Sequence, residues 1–347
     1  MNHEKVTEFL GQFVTDLAAT HSAGLVVIGH RLGLYRELAR GPATPAQFAE
    51  RTGYHLRYLS EWLHGQAASG YVTYDSDSEA FSLTEEQAFC LADPNGPNVP
   101  AAFLVSVGML RAESKITEAF RTGAGVGWHE HVDDVFVGVD AFYRAGYAAD
   151  LVPNWIPALD GVEAKLAAGG TVADVGCGLG SAGLFVAEAY PEATVVGSDY
   201  HAESIELARK KAADAGVAHR VTFEVADART FTGTGFDLVM TLDSLHDMGD
   251  PVGAARHVRE ALAPDGTWLV VEPFVPGIED GPNPISRLYY SGSTFLCVPN
   301  ALSQPGGHAL GAQAGEDAVR EVALDAGFKR FRTVAQTPFN LVYEIRP

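Results

Sequence analysis

Thr171–Gly180 reads TVADVGCGLG, and the reading of this stretch decides the fold of the chain. Apolar Val172, Ala173 and Val175 surround an acidic Asp174, glycine recurs at 176, 178 and 180, and a small-residue run, SAGLFVAEAY, follows. The pattern predicts a buried strand, a tight loop and a helix whose N-terminus faces whatever the loop holds. Glycine is needed where φ is positive or where a ligand touches backbone. The helix N-terminus adds unpaired N–H donors and a partial positive charge. Together they describe a nucleotide-type cofactor site.

Outward from it, strands and helices alternate. Strands are expected at 171–175, 194–198, 220–225, 236–241 and 267–272, with helices at 180–190, 201–215 and 251–263. That rhythm predicts an α/β, doubly wound parallel sheet. A final helix (315–326) leads to two β-like runs, 328–335 and 338–345, whose short link makes them an antiparallel hairpin at the sheet edge.

The chain has 347 residues, 47% hydrophobic and 20% charged, the balance of an ordinary globular protein with room for two domains. Its net charge of −20 repels phosphate backbones and anionic membranes, so neither nucleic acid nor a membrane is an expected partner. Three cysteines, Cys90, Cys177 and Cys297, form no C-x-x-C pair and no disulfide framework, which favours a reduced, cytoplasmic setting. Residues 1–20 carry Glu4, Lys5, Glu8 and Asp16 in an amphipathic pattern unlike a signal peptide.

In front of the sheet, residues 1–95 read as helices followed by two short β-like runs. GLYRELARG, PAQFAERTG (capped by Thr44, with Pro45 at its first position) and HLRYLSEWLHGQAASG precede YVTYDSDSEAFSLT, the winged-helix arrangement. Residues 31–90 hold five basic against eight acidic side chains, a net charge of −3, which favours a dimerisation domain over a DNA reader. The breaker ADPNGPNVP (92–100) opens a segment, 96–160, expected to be a helical linker and active-site cover. Within it, Arg121 is a permanent donor able to clamp a carboxylate, and GAGVGWHEH (123–131) brings Trp128 into a loop that can close over a pocket.

The glycine loop alone is ambiguous, because Gly178-Leu-Gly180-Ser-Ala-Gly183 also satisfies the G-x-G-x-x-G of hydride-transferring enzymes. Other acids narrow it. Asp199, before Tyr200, ends the second strand, where a carboxylate can accept ribose hydroxyls. Asp227-Ala228 follows the third strand, placed to receive an exocyclic amine, and the fourth runs FDLVMTLDSLHDMGDP. On these residues, 161–347 resembles the class I S-adenosylmethionine-dependent methyltransferases, whose first motif is D-x-G-x-G-x-G. With the winged-helix-like front, the chain resembles bacterial methyltransferases of small-molecule metabolism, built on a Rossmann-like seven-stranded sheet. The resemblance implies that Asp174, Gly176, Gly178 and Gly180 hold the methionine end of the cofactor, Asp199 and Tyr200 the ribose, and Asp227 with Ala228 the adenine, with Asp243 nearby. A sulfonium cation also suits an acidic pocket better than a pyrophosphate does.

The acceptor chemistry points to the end of the fourth strand. Strand C-termini face the ligand crevice, so His246 there can serve as general base for a hydroxyl. The segment 273–314 is too long for a simple connection and is expected to be a substrate lid; it carries Tyr289 and, in GGHALG, His308. Two histidines with Asp247 would make a facial set that suits Zn or Fe. HDMGDP and GGHALG resemble the metal-dependent C-methyltransferases that act on α-keto acids in nonribosomal-peptide antibiotic biosynthesis. That resemblance implies metal at His246, Asp247 and His308, with substrate contacts from Arg121, Trp128 and Tyr289, and methylation of the β-carbon of a 2-oxo acid. The alternative is a metal-free O-methyltransferase using His246 as base. A homodimer through the N-terminal domain is expected in either case.

Overall fold

The computed structural model describes every residue except Val275 and Asp280, both in the 273–314 segment. The chain divides into two compact units, Met1–Gly108 and Met109–Pro347.

The first unit holds α1 (His3–Arg31), α2 (Leu34–Leu38), α3 (Pro45–Thr52), α4 (Leu56–Ala68), β1 (Thr73–Asp75), β2 (Ala80–Ser82), α5 (Glu85–Leu91) and most of α6 (Val99–Leu110). Helix starts follow their caps. Thr44 accepts from the Gln47 amide while Gln47 reaches back, and Thr84 and Gln87 repeat the device at α5. The wing is the antiparallel pair β1–β2, Thr73 opposite Ser82, around a polar turn. Tyr35, Phe48, Trp62, Leu63 and Phe81 form the core; the Tyr35 hydroxyl donates to Gln66 Oε1 at 2.6 Å and the Trp62 indole N–H to Leu25 O at 2.9 Å. This is the winged-helix order expected from the sequence.

The second unit continues with α7 (Glu113–Thr122), α8 (Asp134–Asp150), α9 (Val162–Ala167), β3 (Thr171–Val175), α10 (Ser181–Ala189), β4 (Thr194–Asp199), α11 (Ala202–Asp214), β5 (Val221–Val225), β6 (Phe236–Leu242), α12 (Pro251–Ala261), β7 (Leu262–Pro273), α13 (Pro284–Phe295), α14 (Cys297–Ser303), α15 (Gly315–Asp325), β8 (Arg330–Gln336) and β9 (Asn340–Arg346). The seven strands are ordered β5-β4-β3-β6-β7-β9-β8. β3 to β7 are parallel, and the hairpin β8–β9 adds antiparallel at the edge. Alternate residues serve opposite faces: Leu238, Met240 and Leu242 join one apolar layer, Val239 the other, with Trp268 and Val270 of β7 beside it. Side chains buried this completely are worth roughly 1.5–3 kcal/mol each in transfer free energy.

The segment after the 92–100 breaker is helical as expected, as α6 and then α7, separated at Arg111–Ala112. Beyond α8 the chain stays helical through 151–158, as a π turn over Leu151–Trp155 and a 3-10 turn over Ile156–Ala158, where Pro153 and Pro157 lack amide donors.

Candidate active site

The register of β3, β4, β5 and β6 sets their C-terminal ends side by side, Val175 opposite Ser198 and Asp199 opposite Val225. A cavity of about 440 Å³ opens there, lined by residues of the second unit, a volume typical of small-molecule sites. Asp174, Gly176, Gly178, Asp199, Tyr200, Asp227, Ala228, Asp243, Asp247 and Trp128 all line it. Asn300, Ser303, Gln304 and Pro305 show that the long segment after β7 supplies part of the wall.

The glycine loop is held from β4. The amides of Gly176 and Cys177 donate to Ser198 O at 2.8 and 3.1 Å, and that of Gly178 to Asp199 Oδ2 at 2.9 Å. Gly176 (φ +76°) is the one residue type that fits, since a Cβ would stand 2.7 Å from that of Ser244. Asp174 is buried, and burial raises its carboxyl to about 7, partly opposed by the Gly183 amide. Its Oδ2 has no hydrogen-bond partner within the protein. Asp227 differs: the Arg229 guanidinium grips it at 2.9 and 2.8 Å and holds its carboxyl below the usual range. Asp227 is therefore shared between Arg229 and the cavity.

The acceptor side is built around the turn after β6. Glu272, at the end of β7, accepts from the Leu245 amide at 3.1 Å and pairs with His246 Nδ1 at 2.5 Å. His246 Nε2 lies 3.2 Å from Asp247 Oδ1. Burial alone would lower the imidazole pKa, but the Glu272 and Asp247 carboxylates outweigh it and hold the ring well above the usual histidine range. Burial raises Asp247, against the pull of His246, and the Cys297 thiol and Trp128 indole face its carboxylate. Asp243 sits at φ +49°. Its two oxygens accept from Tyr147 Oη at 3.0 Å and Asn340 Nδ2 at 2.9 Å, and burial, with the Glu272 charge, raises its carboxyl to about 7. Asn300 binds the pieces together. Its Nδ2 donates to Asp247 O at 3.1 Å, while its Oδ1 accepts from Tyr200 Oη at 2.6 Å and the Trp128 amide at 3.3 Å.

Several expected residues stand elsewhere. Arg121 is exposed, ion-paired with Glu118 at 3.0 Å, and lines no part of the cavity; its place in the last turn of α7 points it to solvent. His308 is exposed, and its amide donates to Gly249 O at 2.8 Å. Among the described residues the group able to hold a metal is His246, Asp247 and Cys297, with ligand atoms within 4.8 Å of one another, so Cys297 stands where His308 was expected. Gly180 (φ +76°) does not line the cavity either; a Cβ there would meet the Phe223 ring at 2.4 Å, so it serves packing against β5. Tyr289 is half-buried behind Tyr143, its hydroxyl donating to Phe339 O at 3.2 Å. Glu272, Tyr147, Asn300 and Cys297 were missed. Glu272 was readable in principle: it is an acid ending the apolar run TWLVV on the strand paired with β6.

With this geometry, residues 166–283 match the Methyltransf_31 family, a methyltransferase domain. That segment of the chain is similar to a methyltransferase domain. In front of it, residues 20–93 match the Rv2258c-like winged HTH domain. The O-methyltransferase SfmM3 of Streptomyces lavendulae is 28% identical over 266 residues, 72% of this chain and 76% of that protein. Other curated methyltransferases align over shorter stretches at 31–36% identity, and there the chain spans only 38–50% of their length. The structure of the mitomycin 7-O-methyltransferase MmcR superposes with TM-score 0.70 at 21% identity, covering 99% of this chain and 100% of that one. The neocarzinostatin O-methyltransferase NcsB1, in complex with S-adenosyl-L-homocysteine and 1,4-dihydroxy-2-naphthoic acid, gives TM-score 0.62 at 21% identity over 94% and 95%. At these identities the structural likeness is one of fold.

Proposed function

We propose that the chain transfers the methyl group of S-adenosylmethionine to an oxygen of a small hydroxylated molecule of secondary metabolism. The observation that carries this reading is the Glu272–His246–Asp247 chain, buried except for an Asp247 carboxylate on the cavity wall. An acceptor hydroxyl against that wall gives its proton to the coupled Asp247–His246 unit. The oxygen lone pair forms the O–CH3 bond as the C–S bond breaks, and the electron pair returns to sulfur, leaving a neutral thioether. Asp174 faces the cationic donor, and Asn300 keeps Trp128 and the Asp247 turn in register, so that much of the barrier is met by positioning. The relatives with long overlap that carry O-methyltransferase names support the choice of oxygen. Incubation with chelator, S-adenosylmethionine and a panel of phenols, followed by mass spectrometry, tests it: a chelator-insensitive gain of one methyl is expected, lost in His246→Ala.

A second reading is β-carbon methylation of an α-keto acid, and the His246, Asp247 and Cys297 group favours it. Those three side chains would hold a Zn or Fe ion, which would supply Lewis-acid stabilisation to an enolate. The backbone of 308–311 lies against the same turn, through His308 N to Gly249 O and Gly311 N to His246 O. Metal analysis of protein purified without chelator separates the two readings.

The expected dimer belongs to this proposal. The first part of α1 exposes Val6, Phe9, Leu10, Phe13, Val14 and Leu17, a stripe at three- and four-residue spacing. The acidic balance of the chain disfavours an anionic lipid surface there, and the stripe's repeat suits a second copy of the same helix.

A further inference from the structure

We infer that the cavity rejects an acceptor bearing a free negative charge: a carboxylate enters only when a metal cation screens it, and uncharged or cationic acceptors are preferred. This rests on the methyl-transfer reading for the role of the cavity, but not on which atom receives the methyl. Among the described residues that line the cavity none is lysine or arginine, while six are aspartates: 140, 174, 199, 227, 243 and 247. The nearest strong cations are already spent. Lys211 Nζ sits 2.6 Å from Asp140 Oδ2, and the Arg229 guanidinium grips Asp227. His246 lies between two carboxylates, Glu272 and Asp247, so that trio keeps a net negative charge even when the ring is protonated. Asp199 is met by amide dipoles, from Gly178 and His201, with the His201 ring beside it and no lysine or arginine. The lining histidines are His129, exposed at the rim, and His201, whose Nδ1 faces Ser204 at 2.8 Å and whose Nε2 lies 3.5 Å from Glu203.

S-adenosylmethionine brings a sulfonium, an ammonium and a carboxylate, a single net positive charge. Burial leaves the Asp174 and Asp243 carboxyls near 7, so each carries part of a charge at neutral pH, and the donor's single positive charge still falls short of these, Asp199 and the trio combined. A second carboxylate would therefore enter a site that is already negative and poorly solvated, and like charges brought face to face are strongly disfavoured. The rest of the wall suits the opposite partner. Trp128, Phe136, Tyr143 and Tyr147 line it too, and aromatic rings pack with neutral rings and cations alike.

The test compares catechol with 3,4-dihydroxybenzoate in EDTA, measuring binding to the chain loaded with S-adenosyl-L-homocysteine and methyl transfer with S-adenosylmethionine. Catechol is expected to bind at least about tenfold more tightly. Val139, which lines the cavity on α8, provides the converse: Val139→Lys raises the carboxylate's relative affinity, while Val139→Gln, of similar length, does not. Carboxylate binding that appears only after Zn or Fe is added also supports the inference. Equal or tighter carboxylate binding in EDTA overturns it, as does a Val139→Lys variant with an unchanged ratio; should that variant not fold, the wild-type pair alone decides. A catechol preference without methylation of either compound sinks the oxygen-transfer reading and leaves the charge selection standing.

Discussion

In the proposed reaction Glu272 acts on the acceptor chemistry through His246. Its carboxylate fixes Nδ1 and helps hold the ring protonated beyond the ordinary histidine range. Activity that needs the Asp247–His246 unit to accept a proton must then rise towards alkaline pH. His246→Ala lowers kcat by a factor on the order of 10² to 10⁴ with cofactor affinity retained. Glu272→Gln removes one of the two charges that raise the ring, so the acidic limb of the kcat profile moves to lower pH. An unshifted limb contradicts the assignment. Asp174 gives a separate prediction. Its carboxyl, raised to about 7 by burial, must ionise to face a cationic donor, so S-adenosylmethionine affinity rises with pH towards 7, by up to about tenfold per unit. Asp174→Asn flattens that dependence in calorimetric titration. The sign for stability is opposite: the protonated group favours the folded chain fully below the ordinary 3.8, and that contribution fades as pH rises through about 7.

The elements were legible in the sequence where apolar periodicity was strong. β3, β4, β5 and β6 fall within a residue or so of the runs that announced them: β3 and β6, central in the sheet and buried on both faces, are mostly apolar, while β5 at the edge alternates. The edge hairpin followed from its short link. The side-chain partnerships were less legible. Arg121 and His308 have suitable chemistry, but which way a helix end or a glycine-rich loop turns is fixed by tertiary packing, and both face solvent. Cys297 and Asn300 come from a helix whose docking no local pattern encodes. Packing also decides Gly180, read as a cofactor residue but pressed against Phe223. Gly180→Ala, with its positive φ and ring clash, destabilises by about 1–3 kcal/mol in denaturant unfolding. Gly125 makes the same kind of contact with the Ser303 backbone, at 2.0 Å for an added Cβ. Gly125→Val should lift the loop carrying Trp128 and raise acceptor KM far more than it lowers kcat.

At the scale of the molecule, two domains with different surface demands share one chain. The winged-helix unit has its own core but leaves the apolar stripe of α1 open, and a helix of this kind gains most of its stability from packing. Phe9→Asp with Phe13→Asp is expected to convert a dimer to a monomer in light scattering, and a wild-type monomer contradicts the dimer. The second unit gathers acids around one cavity, and in the proposed reaction these face a cationic donor while the coupled Asp247–His246 pair takes the proton of an oxygen nucleophile. The most direct test of that account uses S-adenosylmethionine with a carbon-13 methyl group, chelator and a neutral phenol, the product being read by NMR. The account predicts a labelled methyl bonded to oxygen, with transfer lost in His246→Ala. A methyl on carbon, or transfer only after metal is restored, would contradict it.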